Sequence, residues 1–92
     1  MARLHTAITR MLGIRHPIIQ GGMHYVGYAP LAAAVANAGG LGLITALTLP
    51  TPAALRDEIR AARSALYPGC PGALGVNLTL LPVGDPPPYE EV

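Results

Sequence analysis

The sequence predicts an α/β fold with parallel strands, and three observations carry that prediction. Short, wholly apolar runs alternate with segments of helical period. The step from one apolar run to the next is about 25–30 residues, the spacing of a β/α barrel or a doubly wound sheet. Each apolar run hands over to polar or glycine residues at its carboxyl end, the edge where ligands gather in such folds.

The elements follow in order. Thr6 to Leu12 reads as a short helix, with Ile8, Met11 and Leu12 on one side and Gly13 as its stop. Ile18-Ile19-Gln20 is the first strand, an apolar run closed by Gly21-Gly22 and suited to burial on both faces. Pro30 to Ala38 is the next helix, because proline fits a first turn where its missing N–H is no loss. Leu31, Ala34, Val35 and Ala38 predict its packed stripe. Its other positions are mostly alanine and allow close packing on a second side, and Gly39-Gly40 ends it.

Leu41 to Thr45 is the second strand, followed by Ala46-Leu47-Thr48. Thr51 caps a third helix with Pro52 at its first position. Leu55, Ile59, Ala62 and Leu66 form its apolar face, and Arg56, Asp57, Arg60 and Arg63 its wet face. Asp57 and Glu58 are expected on that solvated surface, with no task as a carboxylate pair. Pro68 to Gly72 is turn material, and Ala73 to Leu78 is the third strand. Leu81 to Pro88 is a proline-rich loop, and Tyr89 to Val92 reads as the start of another helix.

Composition narrows the function classes. The chain has 92 residues, enough for one small domain or a piece of a larger one. Six arginines against five acids leave a net charge of +1, and four tyrosines are the whole aromatic complement. No basic field or stacking platform results, so no nucleic-acid partner is expected. The single cysteine, Cys70, cannot form an internal disulfide, which favours a reducing compartment.

The chain is 51% hydrophobic and 12% charged. Soluble domains carry about 25% charged residues. No charged residue stands between Arg15 and Arg56, so that stretch is built to be covered. Tyr28 to Leu49 is long and apolar, but Pro30, Asn37, Gly39, Gly40, Gly42 and Pro50 interrupt it, so no membrane partner is expected. The N-terminus lacks a secretory h-region, and cytoplasmic residence is the expectation.

The candidate chemistry lies at the carboxyl ends of the strands. These are Gln20-Gly21-Gly22-Met23-His24, Thr45-Ala46-Leu47-Thr48 and Asn77-Leu78-Thr79. Gly21 and Gly22 let the backbone approach a ligand, although a glycine pair after a strand also serves as a plain turn. Asn77 and Thr79, two apart on a strand, point to one face and suit a planar, heteroatom-rich ligand. Gly39-Gly40-Leu41-Gly42 runs from helix to strand and so lies at the opposite edge, as a helix stop with close packing. His24 is expected to contribute backbone, His5 and His16 to serve the surface or a cap, and Cys70 has no base beside it. No metal-ligand spacing is present, so no metal site is expected.

Three blocks carry a resemblance. Pro17-Ile18-Ile19-Gln20-Gly21-Gly22-Met23, then Leu31 to Gly42, then Gly75-Val76-Asn77-Leu78-Thr79-Leu80-Leu81-Pro82 closely resemble the N-terminal part of the nitronate monooxygenases, formerly called 2-nitropropane dioxygenases. The resemblance runs from about Thr6 to the last residue. It implies the N-terminal portion of a TIM (β/α)8 barrel, with residues 1–92 as an incomplete FMN-binding domain of about three strands. It implies that the backbone around Gly22, Met23 and His24 follows the flavin ring and that Asn77 and Thr79 reach its polar edge. The implied reaction is oxidation of alkyl nitronates by O2 to a carbonyl compound and nitrite.

The family's histidine beside the flavin lies downstream of the matched blocks, as does the phosphate site. The resemblance therefore implies no catalytic residue in these 92 residues, and inactivity of the chain alone. The FMN-dependent enoyl-acyl-carrier-protein reductases share a similar Gln-Gly-Gly-Met opening and are the alternative, along with a non-catalytic assembly module. Both outer strands of a three-stranded portion are open edges, so self-association through them is expected.

Overall fold

The computed structural model describes residues 4–23, 25–49 and 51–78. The elements are α1 (Ala7–Leu12), β1 (Ile19–Gln20), α2 (Ala29–Asn37), β2 (Leu41–Thr45), α3 (Pro52–Ser64) and β3 (Ala73–Asn77), with a single 3-10 turn at Ala46–Thr48. The strands form one parallel sheet in the order β1-β2-β3. Its register pairs Ile19 with Leu41, Leu41 with Ala73, and Thr45 with Asn77. This is the N-terminal portion of a β/α barrel: three parallel strands in an open sheet, with helices between them. The expected proline-rich loop and terminal helix lie outside the described residues.

The local signals explain the boundaries. Thr6 caps α1, and Gly13 stops it in the left-handed region at φ 66°. Thr51 caps α3 by accepting the Ala54 N–H at 3.0 Å, and Pro52 opens the helix. β1 spans two residues where the sequence predicted three, but its pairing continues through the Gln20 side chain. Gln20 Oε1 accepts the Leu43 N–H at 3.1 Å, and Gln20 Nε2 donates to the Leu43 carbonyl at 3.3 Å. A side-chain amide thus fills the ladder position where the strand runs out.

The predicted stripe of α2 is corrected. Ala29, Ala32, Ala33 and Ala36 are buried, while Leu31 and Val35 are half-buried and Ala34 and Ala38 exposed. Gly42 on β2 explains this, because a Cβ there would strike the backbone of Ala32. The helix lies so close to the strand that alanine fits between them and leucine or valine does not. Ile44, Ala46, Leu55 and Ala62 complete the core against Ala29 and Ala32.

Two further expectations are corrected. On α1, Ile8 and Met11 are exposed, and the buried residue is Thr9. Thr9 closes a reciprocal cap with Thr6: its hydroxyl accepts the Thr6 N–H at 2.9 Å, and its own N–H donates to Thr6 Oγ1 at 3.2 Å. On α3, Glu58 is half-buried and does have a task. Its Oε2 accepts the Ala29 N–H at 2.6 Å, capping α2 where Tyr28 supplies no side-chain cap.

The far ends of the same helices are tied by Asn37. Its Nδ2 donates to the Ala65 carbonyl at 3.0 Å, and its Oδ1 accepts the Tyr67 N–H at 2.8 Å. Among the described residues, no helix is long and apolar enough to cross a membrane.

Candidate functional site

Parallel pairing places the carboxyl ends of β2 and β3 side by side. Thr45 and Asn77 are register partners and share one face of the sheet. The segment after β1 reaches across this edge. Gly22 packs on Asn77 so closely that a Cβ on Gly22 would lie 2.6 Å from both Asn77 Cγ and Oδ1. Two of the sequence-predicted site residues, from the first and third strands, are therefore brought together. Gly21 is exposed, and among the described residues nothing comes within 4 Å of the position its Cβ would take.

Met23, the third predicted residue, is held from β2. Thr45 Oγ1 accepts the Met23 N–H at 2.9 Å and donates to the Met23 carbonyl at 3.1 Å. That carbonyl also accepts the N–H groups of Val26 at 3.0 Å and Gly27 at 2.7 Å. The peptide groups of Met23 are thus engaged within the protein, and what it presents outward is its side chain, 41% exposed. His24 and Thr79 lie outside the described residues.

Thr45 was placed by the sequence at this edge but given no role in the site. It is 3% exposed, a buried polar residue at the end of an apolar strand. That position was its signal: a threonine closing an apolar run must place its hydroxyl on a partner. Beside it, Tyr25 adopts φ 63°, unusual for a residue with a side chain, within the turn that returns the chain to α2.

Comparison with known proteins shows the family of the chain. The family model described as nitronate monooxygenase matches residues 5–84. The chain belongs to the nitronate monooxygenase family. Among individual relatives, it is 40% identical over 76 residues to the (3aS,4S,5R,7aS)-5-hydroxy-7a-methyl-1-oxo-octahydro-1H-indene-4-carboxyl-CoA dehydrogenase of Mycobacterium tuberculosis, covering 83% of this chain and 20% of that protein. The enzyme of the same name from Rhodococcus jostii is 45% identical over 49 residues, 53% of this chain and 14% of its own length. A nitronate monooxygenase of Pseudomonas aeruginosa is 64% identical over 36 residues, 39% of this chain and 10% of its own. The chain thus spans no more than 20% of the length of these relatives.

Nitronate monooxygenase family members are generally flavin-dependent oxidoreductases, and the residues at the carboxyl edge fit one part of such a group. Gly21 offers exposed backbone and open space, and Asn77 brings an amide to the same edge. A flat, heteroatom-rich ring suits both. Among the described residues there is no group of three or more His, Cys, Asp or Glu side chains placed to hold a metal ion.

Proposed function

We propose that this chain forms the ring-facing part of an FMN site in an enzyme that oxidises alkyl nitronates with O2 to a carbonyl compound and nitrite. The supporting observation is the convergence of Gly21, Gly22 and Asn77 at the carboxyl edge of the sheet, with Gly22 seated on Asn77. In this reading the Asn77 amide meets the polar edge of the ring, and Gly21 and Gly22 admit it close to the backbone. The Met23 side chain, together with His24, lies along the ring, and Thr79 joins Asn77. FMN, when bound, supplies the electron transfer that oxidises the nitronate.

The protein's part here is placement: it fixes a cradle and gives the ring a non-aqueous side. None of the 92 residues is assigned a catalytic role, so the chain alone is proposed to be inactive, with activity residing in a complete polypeptide that carries these strands. Residence in the cytoplasm belongs to the same reading, as does self-association of the 92-residue chain alone through the outer edges of β1 and β3.

A second reading is favoured by the longer of the matches. The 76-residue match is to a protein named as a CoA-ester dehydrogenase. In that reading the same flavin cradle serves dehydrogenation of a CoA thioester. An assay of the complete polypeptide with FMN decides between them. Nitrite released from an alkyl nitronate under air is the expected result. Reduction of an electron acceptor by a CoA thioester, with no nitrite from nitronate, establishes the second reading instead.

A further inference from the structure

We propose that Thr45 is a positioning residue for the flavin-facing segment, acting through Met23; this rests on the reading that the segment after β1 lines a flavin. β2 ends at Thr45, and its peptide N–H donates to the Gly27 carbonyl at 2.7 Å. Its hydroxyl both accepts from the Met23 N–H and donates to the Met23 carbonyl. One residue therefore grips both ends of the turn between Met23 and Gly27.

The grip is specific to a hydroxyl. Serine and threonine donate and accept through one atom, whereas valine, of the same shape, does neither. Removing it would leave the Met23 N–H without its partner. Gly27 belongs to the same device, because a Cβ there would fall on Thr45 Oγ1. The turn is also held with Tyr25 at φ 63°, a conformation that persists where its surroundings enforce it. Met23 and Gly22 are adjacent, so loosening Met23 loosens the seat of Gly22 on Asn77.

The test compares wild type, Thr45→Val and Thr45→Ser in the complete polypeptide. FMN affinity is read by flavin fluorescence, and amide exchange is followed at Met23 and across α3. Thr45→Val is expected to speed exchange at Met23, leave α3 protected, and weaken FMN binding by at least about tenfold. Thr45→Ser is expected to restore FMN affinity to within about threefold of wild type, because it keeps the hydroxyl. Equal FMN affinity in wild type and Thr45→Val overturns this proposal alone. Failure of wild type to take up FMN overturns the flavin reading and the proposal with it. Should Thr45→Val not fold, Gly27→Ala presses on the same hydroxyl without removing it. Wild-type FMN affinity and wild-type exchange at Met23 in that variant would also overturn the proposal.

Discussion

Gly22 sits directly on the side chain of Asn77, so that a Cβ at position 22 would lie 2.8 Å from Asn77 Cβ as well as 2.6 Å from its amide carbon. Rotating the amide does not clear that contact, because the Asn77 Cβ is fixed to β3. The contact ties the segment after the first strand to the end of the third, across the second. It is the geometric basis for treating residues 55 positions apart as one site.

Gly22→Ala should therefore disturb both stability and the site. Overpacking of this kind costs about 1–3 kcal/mol. A fall of that size in the urea-unfolding free energy, with a change in the Asn77 side-chain amide signals by NMR, is the expected outcome. Unchanged amide signals would show that position 22 does not press on Asn77.

Glu58→Ala removes the cap of α2. Loss of a side-chain cap costs about 0.5–2 kcal/mol, and a charged acceptor lies toward the upper end. Thermal melting should show Glu58→Ala destabilised by that amount and Glu58→Gln less so, since glutamine keeps an acceptor oxygen for the Ala29 N–H. Equal melting temperatures for Glu58→Ala and wild type would mean that water replaces the carboxylate without loss.

Gly42→Ala should be more damaging than Gly22→Ala. The methyl group meets the Ala32 backbone, and a backbone cannot rotate away as a side chain can. A loss of about 3 kcal/mol or more, or no folded protein, is expected in circular-dichroism melting. A cooperative fold of wild-type stability would show that α2 can lift from the sheet freely.

The outer edges of β1 and β3 have no strand partner among the described residues, and Ile19 on β1 and Ile18 just before it are exposed. Size-exclusion chromatography of the 92-residue chain should show association that grows with concentration. A compact monomer at all concentrations would contradict it.

Much of this fold was legible because local chemistry and tertiary structure agree. Thr51-Pro52 and Gly13 mark helix ends by rules that need no knowledge of neighbours. Leu41 to Thr45 is an apolar run bounded by glycine and polar residues, and it forms a strand of the same extent.

The face of α2 was not legible, because its orientation depends on Gly42, which belongs to another element. Nor was the role of Glu58, whose partner lies 29 residues away on α2. At the site, Gly22, Met23 and Asn77 could be given roles from the sequence, whereas Thr45 could only be placed at the edge. A strand-end threonine shows that it needs a partner but not that the partner is Met23.

The central claim is that the carboxyl edge at Gly21, Gly22 and Asn77 receives a flavin ring. Gly21 isolates that claim, because a Cβ there meets no atom of the other described residues within 4 Å. The decisive measurement is an FMN titration of the complete polypeptide beside its Gly21→Ala variant, followed by flavin fluorescence. Saturable binding by wild type, weakened about tenfold or more in Gly21→Ala with an unchanged melting temperature, is the predicted result. No binding by wild type, or equal affinity in the two proteins, would contradict it.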